Sequence, residues 1–401
     1  MNILLLAEGD AETRDCWSGI AKSVVDHLRA AGHVVRTGDV ELYDGQRWTV
    51  VLRTFSPNRA RWQVRFRLGS AGFETRSRNA ARHISLRRRD TDVIVQIGAT
   101  FEPRGHGTIP YALYCDSNIR MAERGGGSGA PSWAAHLTDH ECRQVRARET
   151  AVYRGASAIF TISDLLRQSF IDDFLLEPDC VHSIHAGPNL NLAMQVRTEE
   201  RPTRDRPPAV LFVGRQFERK GGALVLEAFG RVRRQILDAE LLVVGPADTT
   251  TVPGVRWLGY LNPDDPTARD RLAAAYAAAD VFCLPTRFEP FGIVFLEAMG
   301  AALPCIGTVT GAVPEMIIDG KTGYTIALND VDALTDRLLR LLGDRHLART
   351  MGEAGRERAR NHFTWEAVVG RMLEKLELIA ARRQGCVKSP CSATSATDRV
   401  T

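Results

Sequence analysis

Short apolar runs alternate with helical patterns along the whole chain. Each run is only a few residues long, which fits a buried strand, and the segments between runs repeat apolar residues at helical spacing. This alternation is typical of α/β structure with parallel sheets. The first six predicted strands are Asn2–Leu6, His33–Thr37, Asp92–Ile97, Tyr111–Cys115, Ala158–Ile162 and Val181–Ile184, and the second six are Ala209–Val213, Glu240–Val244, Val255–Leu258, Val281–Leu284, Pro304–Ile306 and Tyr324–Ile326.

A stretch rich in charge and proline separates the two sets of strands. Residues 189–208, which include TEERPTRDRPP, lack periodicity and are interpreted as a linker. The sequence therefore predicts two Rossmann-like domains, residues 1–195 and 205–364, which face each other across a cleft. The last predicted helix, residues 365–382, is expected to pack back on the first domain, and residues 383–401 are expected to form a disordered tail.

Composition narrows the classes of function. The 401 residues are 44% hydrophobic and carry a formal net charge of +4, which is too small to indicate nucleic-acid binding. No run approaches the roughly 18 apolar residues of a membrane span, and the N-terminus is unlike an export signal. The expected location is cytoplasmic, with peripheral contact at the inner face of the membrane as an alternative.

The chain offers little for a metal centre. Its eight cysteines form no C-x-x-C pair, and in a reducing compartment they are expected to be thiols. His136, His140 and Cys142 are close in sequence but lack a fourth ligand, so polar residues at a helix entry are the simpler interpretation. We predict no metal site.

The segment Arg287–Gly300, RFEPFGIVFLEAMG, holds two carboxylates eight positions apart, Glu289 and Glu297. The strand pattern upstream and the turn Pro290-Phe291-Gly292 place Glu289 in a loop and Glu297 inside a helix. Such a helix start presents backbone N–H groups and a positive dipole end, which suit a phosphate. The carboxylates would lie about 10 Å apart along the helix axis, a span that suits a nucleotide sugar.

A second strand–loop–helix unit supplies fixed cations. The loop GRQFERKGG follows the strand Ala209–Val213 and contains Arg215 and Lys220 among several glycines. Glycines let a backbone approach a phosphate, arginine can bind phosphate bidentately, and lysine acts as a point charge. The loop has neither G-x-G-x-x-G nor a Walker pattern, so dinucleotide or P-loop chemistry is poorly supported. By itself it is equally compatible with a solvated basic loop.

Together, VGRQFERKGG and RFEPFGIVFLEAMGAALPCIGTVTGAVPEMIIDGKTGY resemble the retaining glycosyltransferases of GT-B fold, family four. The likeness covers nearly all of residues 209–381 in order and spacing, including LLVVGPAD, AAAYAAADVFCLPT and FTWEAV. It is weaker in the first domain. There, Ser18-Gly19-Ile20 resembles the donor-facing glycine loop of the family, and AIFTISDLLRQSFI with VHSIHAGPNL resembles its last strand–helix–strand.

The resemblance implies a role for each matched residue. Arg215 and Lys220 would bind the donor diphosphate and stabilise the leaving charge. Glu289 would accept hydrogen bonds from donor sugar hydroxyls, Glu297 would take the ribose hydroxyls, and the helix start between them would offer backbone N–H groups. The implied donor-binding set is Ser18, Gly19, Gly214, Arg215, Lys220, Glu289, Pro290, Phe291, Gly292, Ile293 and Glu297.

Simpler interpretations exist for both carboxylates. Glu289 could be a charge at a helix N-terminus, and Glu297 could be a surface residue. The neighbours of Glu297 in sequence are Phe295, Leu296, Ala298 and Met299, which make an apolar helix. A carboxylate in that setting needs a partner or a ligand, which favours a function for Glu297.

The acceptor side departs from the resemblance. Many family members carry a histidine in the loop after the fourth strand, whereas here that strand ends in Asp116-Ser117-Asn118. We predict Asp116 as a catalytic contact near the sugar, with His136 as the second candidate. Each is equally compatible with a turn or cap residue.

Arginine recurs between Arg53 and Arg89, with Trp62, Phe66 and Phe73 interleaved. A basic, aromatic helix can lie on an anionic membrane or hold an anionic acceptor such as an acidic glycan. The simpler interpretation is an arginine-rich solvated face. The sequence leaves these alternatives open.

The predicted function is transfer of a hexose from a nucleotide diphosphate sugar to a glycan, lipid-linked or small-molecule acceptor, with retention of configuration. No enzymic nucleophile is evident, and the resemblance implies that the leaving phosphate oxygen takes the acceptor proton. Arg215 and Lys220 would do the work of a metal, so no metal or other cofactor is expected. The alternatives are a sugar-nucleotide epimerase or glycosyl phosphorylase of the same fold, or a non-catalytic glycan- or nucleotide-binding protein.

Overall fold

The computed structural model describes residues 1–125, 132–190, 206–246 and 251–384, and they form two compact units. The first unit comprises residues 1–125, 132–186 and 365–384, and the second comprises residues 187–190, 206–246 and 251–364. Each unit contains one six-stranded parallel sheet with helices, which confirms the predicted α/β class. Most of the interpreted linker (191–205) and of the predicted tail (385–401) lies outside the described residues.

The sheet of the first unit is parallel throughout. Its inner strands are buried at every position, because helices cover such a sheet on both faces. The strands are β1 (Asn2–Ala7), β2 (Val34–Asp39), β3 (Val93–Ile97), β4 (Tyr111–Cys115), β5 (Ala158–Thr161) and β6 (Val181–Ser183). Their spatial order is β2-β1-β3-β4-β5-β6.

Side-chain caps fix the starts of several helices in this unit. Asn118, Thr138 and Ser163 each accept a hydrogen bond from a backbone N–H in the first turn of the helix that follows. The helices are α1 (Ile20–Ala30), α2 (Asp44–Thr54), α3 (Arg59–Leu68), α4 (Ser70–Arg87), α5 (Ile119–Glu123), α6 (Asp139–Gly155) and α7 (Asp164–Phe174).

The second unit repeats the architecture with its own sheet. The strands are β7 (Ala209–Val213), β8 (Glu240–Val244), β9 (Val255–Gly259), β10 (Val281–Leu284), β11 (Cys305–Thr308) and β12 (Gly323–Ile326), in the order β12-β11-β10-β7-β8-β9. The helices are α8 (Gly222–Arg233), α9 (Pro266–Ala278), α10 (Ile293–Gly300), α11 (Val313–Met316), α12 (Val331–Gly343) and α13 (Arg345–His362).

All twelve predicted strands are present, and their bounds differ from the prediction by no more than two residues. The largest shifts are at β2, predicted as His33–Thr37, and at β11, predicted as Pro304–Ile306. In both, the strand starts one residue later and its parallel pairing continues two residues further, to Asp39 and Thr308. Among the described helices, none combines the length and apolar character that a membrane span requires.

The last helix, α14 (Trp365–Gln384), packs on the first unit against α1, β3 and β5. Arg371 donates a 2.6 Å hydrogen bond to the carbonyl of Ile184, and the rings of His27 and Trp365 lie 6.4 Å apart. The chain therefore returns to its first unit after completing the second. The buried apolar residues of α14 are Trp365, Val368, Val369, Met372, Leu376 and Ile379.

Glu149 on α6 makes the stability of the first unit depend on pH. Burial raises the pKa of its carboxyl to about 7, even though the Ile119 N–H donates a 2.9 Å hydrogen bond to it. The native state therefore keeps a proton that the unfolded chain releases above pH 4.5, and the free energy of unfolding falls as pH rises from about 4.5 to 7. We expect Glu149→Gln to remove this loss, worth up to about 1.4 kcal/mol per pH unit.

Urea unfolding of both proteins at pH 5 and pH 8 measures this difference. Glu149→Gln should gain stability relative to the natural chain at pH 8 and lose most of that advantage at pH 5. The same pH dependence in both proteins would show that Glu149 does not titrate in this range.

Candidate active site

Two loops meet at the carboxyl edge of the second sheet. One joins β7 to α8 and the other joins β10 to α10, and β7 and β10 are neighbours in the sheet. The backbone N–H of Arg287 donates to the carbonyl of Arg219 at 2.9 Å, and the Arg219 guanidinium donates back to the carbonyl of Phe288 at 2.5 Å. Ligand sites of open parallel sheets lie at this edge.

Lys220 and Glu289 form an ion pair between these two loops. Their side chains are only 13% and 8% exposed, so the pair is largely removed from water. Removing one partner would leave the other charge buried and uncompensated, which is costly. The structure thus joins the predicted cation and the predicted carboxylate directly, although they are 69 positions apart.

Arg215 and Gly214 lie at the start of the cationic loop. The Gly214 N–H continues the β7–β8 ladder by donating to the Val244 carbonyl at 2.9 Å. The exposed Arg215 guanidinium stacks 4.6 Å from the ring centre of Tyr260, a half-exposed residue that follows β9. This contact holds the Arg215 side chain at the same edge of the sheet as Lys220.

The turn Pro290-Phe291-Gly292 starts α10. Gly292 is the N-cap residue, with φ of +100°, and a Cβ there would approach Glu289 Cγ to 3.0 Å and a Phe295 ring carbon to 2.8 Å. The first turn from Ile293 has no acidic residue and no side-chain cap, so its N–H groups and dipole favour an anion. Phe291 is 2% exposed and packs near Phe363, so its ring is not available to a ligand.

Glu297 lies inside α10 and is 5% exposed, so the interpretation of a surface residue is wrong. The Tyr276 hydroxyl of α9 donates a 3.0 Å hydrogen bond to the Glu297 carboxylate. Burial, together with the nearby carboxylate, raises the pKa of Tyr276 well above its usual range. The fold itself therefore provides a partner for this carboxylate, and its apolar surroundings alone are no argument for a ligand.

Sequence reasoning missed two residues that shape the site. Arg219 cross-links the cationic loop to the loop of Glu289, as described above. Gly311, after β11, lies beneath Glu289 with φ of +53°, and a Cβ there would be 1.8 Å from the Glu289 carbonyl oxygen. The Ala312 N–H donates to that same carbonyl at 3.3 Å. Gly311 lies in the segment TVTGAVPE. The glycine itself is the one signal in the sequence that could have indicated this position.

In the first unit, Ser18 and Gly19 lie in the loop between β1 and α1. Trp17 and Ser18 both have left-handed backbone conformations, with φ of +51° and +54°, and Gly19 is the N-cap of α1. The Trp17 ring covers Gly98 after β3, where a Cβ would come within 2.5 Å of it. This contact between Trp17 and Gly98 fixes the loop at the carboxyl edge of the first sheet.

Asp116 and Asn118 follow β4 at the same edge. Burial raises the pKa of the Asp116 carboxyl, and the charge of Arg67 opposes this effect. Asn118 is a buried cap: its Oδ1 accepts from the Met121 N–H at 2.9 Å and its Nδ2 donates to Ser169 at 3.0 Å. These bonds fix the position of Asn118, two residues after Asp116.

A buried ion pair at this edge was not predicted. Arg76 of α4 is fully buried, and its guanidinium lies 3.0 Å from a carboxylate oxygen of Glu8, which follows β1. The same guanidinium donates to the Arg67 carbonyl at 2.8 Å, and the Arg67 side chain approaches Glu8 at 4.0 Å. The arginine-rich stretch is thus not a single solvated face, because one of its members is in the core.

His136 ends a short 3-10 helix, Trp133–His136, that packs against α3 and α5. Cys142 is buried with its sulfur 3.9 Å from the Ala134 carbonyl, and the exposed His140 ring nitrogen contacts Gln144 at 2.9 Å. Among the residues the structure describes, these three side chains do not bring their ligand atoms together.

The fold is that of the GT-B glycosyltransferases. The structure superposes on sucrose-phosphate synthase from Thermosynechococcus elongatus with a TM-score of 0.65 at 21% identity, covering 95% of this chain and 99% of that one. Residues 207–344 match the family model described as glycosyl transferases group 1. The matched residues all lie between the first and last residues of the second unit.

Two curated relatives are mannosyltransferases by name. Over 207 residues the chain is 32% identical to the GDP-mannose-dependent alpha-(1-6)-phosphatidylinositol monomannoside mannosyltransferase of Mycolicibacterium smegmatis, covering 47% of this chain. The chain spans about half the length of that relative, 52%. It is 27% identical over 336 residues to the MMP alpha-(1->4)-mannosyltransferase of Mycolicibacterium hassiacum, covering 79% of this chain and 78% of that one.

Proposed function

We propose that the chain transfers a hexose from a nucleotide diphosphate sugar to a glycan, lipid-linked or small-molecule acceptor, with retention of configuration. The observation that carries the proposal is the Lys220–Glu289 pair beside the uncapped start of α10. A cation, a carboxylate and a helix N-terminus at one point suit a phosphate joined to a hydroxylated sugar. The matched relatives are named as glycosyltransferases, which supports the same reaction class.

In this proposal the donor diphosphate is held by Arg215, Lys220 and the N–H groups at the start of α10. These positive groups stabilise the charge that develops on the leaving phosphate. Glu289 accepts hydrogen bonds from sugar hydroxyls, and its position is fixed by Lys220 and by the turn that ends at Gly292. Glu297 would reach the donor ribose from inside the helix while keeping its bond to Tyr276.

Retention without an enzymic nucleophile places the proton chemistry on the substrates. The glycosidic bond to the diphosphate breaks, the acceptor oxygen forms the new bond on the same face, and the departing phosphate oxygen takes the acceptor proton. Glu289 and Glu297 hold hydroxyls in this scheme rather than acting as the acid and nucleophile of a glycosidase. In the first unit, Asp116 is the proposed contact near the sugar and His136 the second candidate, with Ser18 and Gly19 on the donor side.

The test is release of nucleoside diphosphate from UDP-, GDP- and ADP-sugars. We expect one donor to be consumed at a measurable rate, faster with a suitable acceptor, and to raise the thermal unfolding temperature when saturating. Formation of a new sugar-nucleotide isomer would favour an epimerase, and a pyridoxal absorbance band with phosphate-dependent cleavage would favour a phosphorylase. Tight binding without any turnover would favour a non-catalytic protein.

A further inference from the structure

A cationic cavity of about 300 Å³ lies in the first unit, where the ends of α2 and α3 meet the starts of α4 and α6. A cavity of this size accommodates a small polar group such as a sugar phosphate headgroup. Four arginines line it, Arg53, Arg65, Arg78 and Arg148, together with only two carboxylates, Glu74 and Glu141.

Both carboxylates of the cavity are already neutralised. Glu74 is held bidentately by Arg104, at 2.6 and 3.0 Å, and Arg104 lies outside the lining. Glu141 is paired with Arg65 and with Arg61, each at 3.1 Å. Each of these two carboxylates thus has its own arginine partners at salt-bridge distance, although the charge of Glu74 also acts on Arg78 and Arg148.

The remaining three arginines of the cavity lack a direct carboxylate partner in the described part of the chain. Within the described ranges, no carboxylate lies at salt-bridge distance from Arg53, Arg78 or Arg148. Arg148 is held in place by its 2.7 Å hydrogen bond to the Leu68 carbonyl and by stacking 5.5 Å from the Phe73 ring centre. Desolvation lowers the pKa of Arg148, and the charges of Glu149 and Glu74 oppose this effect.

Backbone groups add to this positive environment. Helix α4 is 18 residues long and starts at Ser70 without a side-chain cap, and Ser70 and Ala71 both line the cavity. Its dipole and its first N–H groups favour an anion there. Because α4 leads into β3, it starts on the carboxyl side of the sheet, the side that carries Gly19 and Asp116.

We propose that this cavity binds a phosphate group carried by the acceptor. Phosphate offers several oxygens to forked guanidinium groups, and its negative charge offsets part of the positive charge of Arg53, Arg78 and Arg148. The group could belong to a soluble sugar phosphate or to a phospholipid headgroup, since both present the same chemistry. The identification of its carrier as the acceptor rests on the proposed function, whereas the phosphate site does not.

Calorimetric titration of the full chain with glucose 6-phosphate, and with glucose as the neutral match, tests the site. We expect saturable binding of the phosphate ester only. The double substitution Arg53→Gln/Arg78→Gln should weaken this binding at least tenfold. The control Arg82→Gln/Arg89→Gln removes the same charge from two exposed arginines outside the cavity and should leave the binding unaltered.

Sedimentation with vesicles of phosphatidylinositol or of phosphatidylcholine separates the two sources. A lipid headgroup is identified if the protein binds only the phosphatidylinositol vesicles, and if Arg53→Gln/Arg78→Gln loses this binding while the control pair keeps it. A soluble phosphate is identified if the protein binds glucose 6-phosphate but no vesicles. Absence of both, or equal losses in the two variant pairs, overturns the proposal. Nucleoside diphosphate release by the natural chain reports on the glycosyl-transfer proposal separately, whatever these titrations show.

Discussion

Arg215→Ala is expected to lower turnover of the preferred nucleotide sugar at least a hundredfold, the order seen when one charge-stabilising donor is lost. This corresponds to about 2.7 kcal/mol of lost transition-state stabilisation. The reason is that Arg215 would bind the phosphate that gains charge as the glycosidic bond breaks. Because its guanidinium stacks on Tyr260 and is exposed, its removal should leave the thermal unfolding temperature nearly unchanged.

Steady-state release of nucleoside diphosphate measures this effect, with Arg349→Ala, an exposed arginine on α13, as the matched control. Lys220→Ala should show a similar loss of turnover together with lower stability, because it also leaves the buried Glu289 without its partner. Near-normal turnover in both Arg215→Ala and Lys220→Ala would refute the assignment of the diphosphate to this loop.

Arg76→Ala is expected to destabilise the protein by about 3–5 kcal/mol, the range found when one partner of a buried ion pair is removed. Arg76 is fully buried and Glu8 is nearly so. A guanidinium nitrogen of Arg76 lies 3.0 Å from a carboxylate oxygen of Glu8. Truncation would leave the Glu8 carboxylate with only the distant Arg67 charge, and would also remove the bond to the Arg67 carbonyl.

Urea unfolding measures this loss, and Arg82→Ala, exposed on the same helix, is the control. The double substitution Glu8→Gln/Arg76→Met should cost less than the sum of its single substitutions, because the two residues are coupled. A loss below about 1 kcal/mol for Arg76→Ala would mean that Glu8 finds another partner or becomes solvated.

The sequence was most informative about the two sheets. Buried parallel strands are short, continuous apolar runs, so β4, β7, β8 and β10 could be predicted to the residue. Helix starts and the order of strands within each sheet carry weaker local signals. The two-unit organisation followed from counting strands on either side of a polar break.

The pairing of charges could not be read in the same way. The sequence indicated Lys220 and Glu289 separately, but nothing local shows that the two side chains meet across loops from neighbouring strands. Tyr276 lies in an alanine-rich helix, and nothing in the sequence around it indicates that its hydroxyl donates to Glu297. Arginine spacing likewise does not distinguish Arg76, which is buried against Glu8, from the exposed arginines around it.

Because α14 packs on the first unit but follows the second unit in sequence, it sets the order in which the two units can complete their folding during synthesis. Every residue of the second unit leaves the ribosome before α14 does, so that unit can finish folding while the first still lacks the helix that covers α1. An N-terminal fragment ending at residue 190 would expose the apolar surface that α14 buries. The first unit is therefore not separable by a single cut, and its folding is completed only by the far end of the chain.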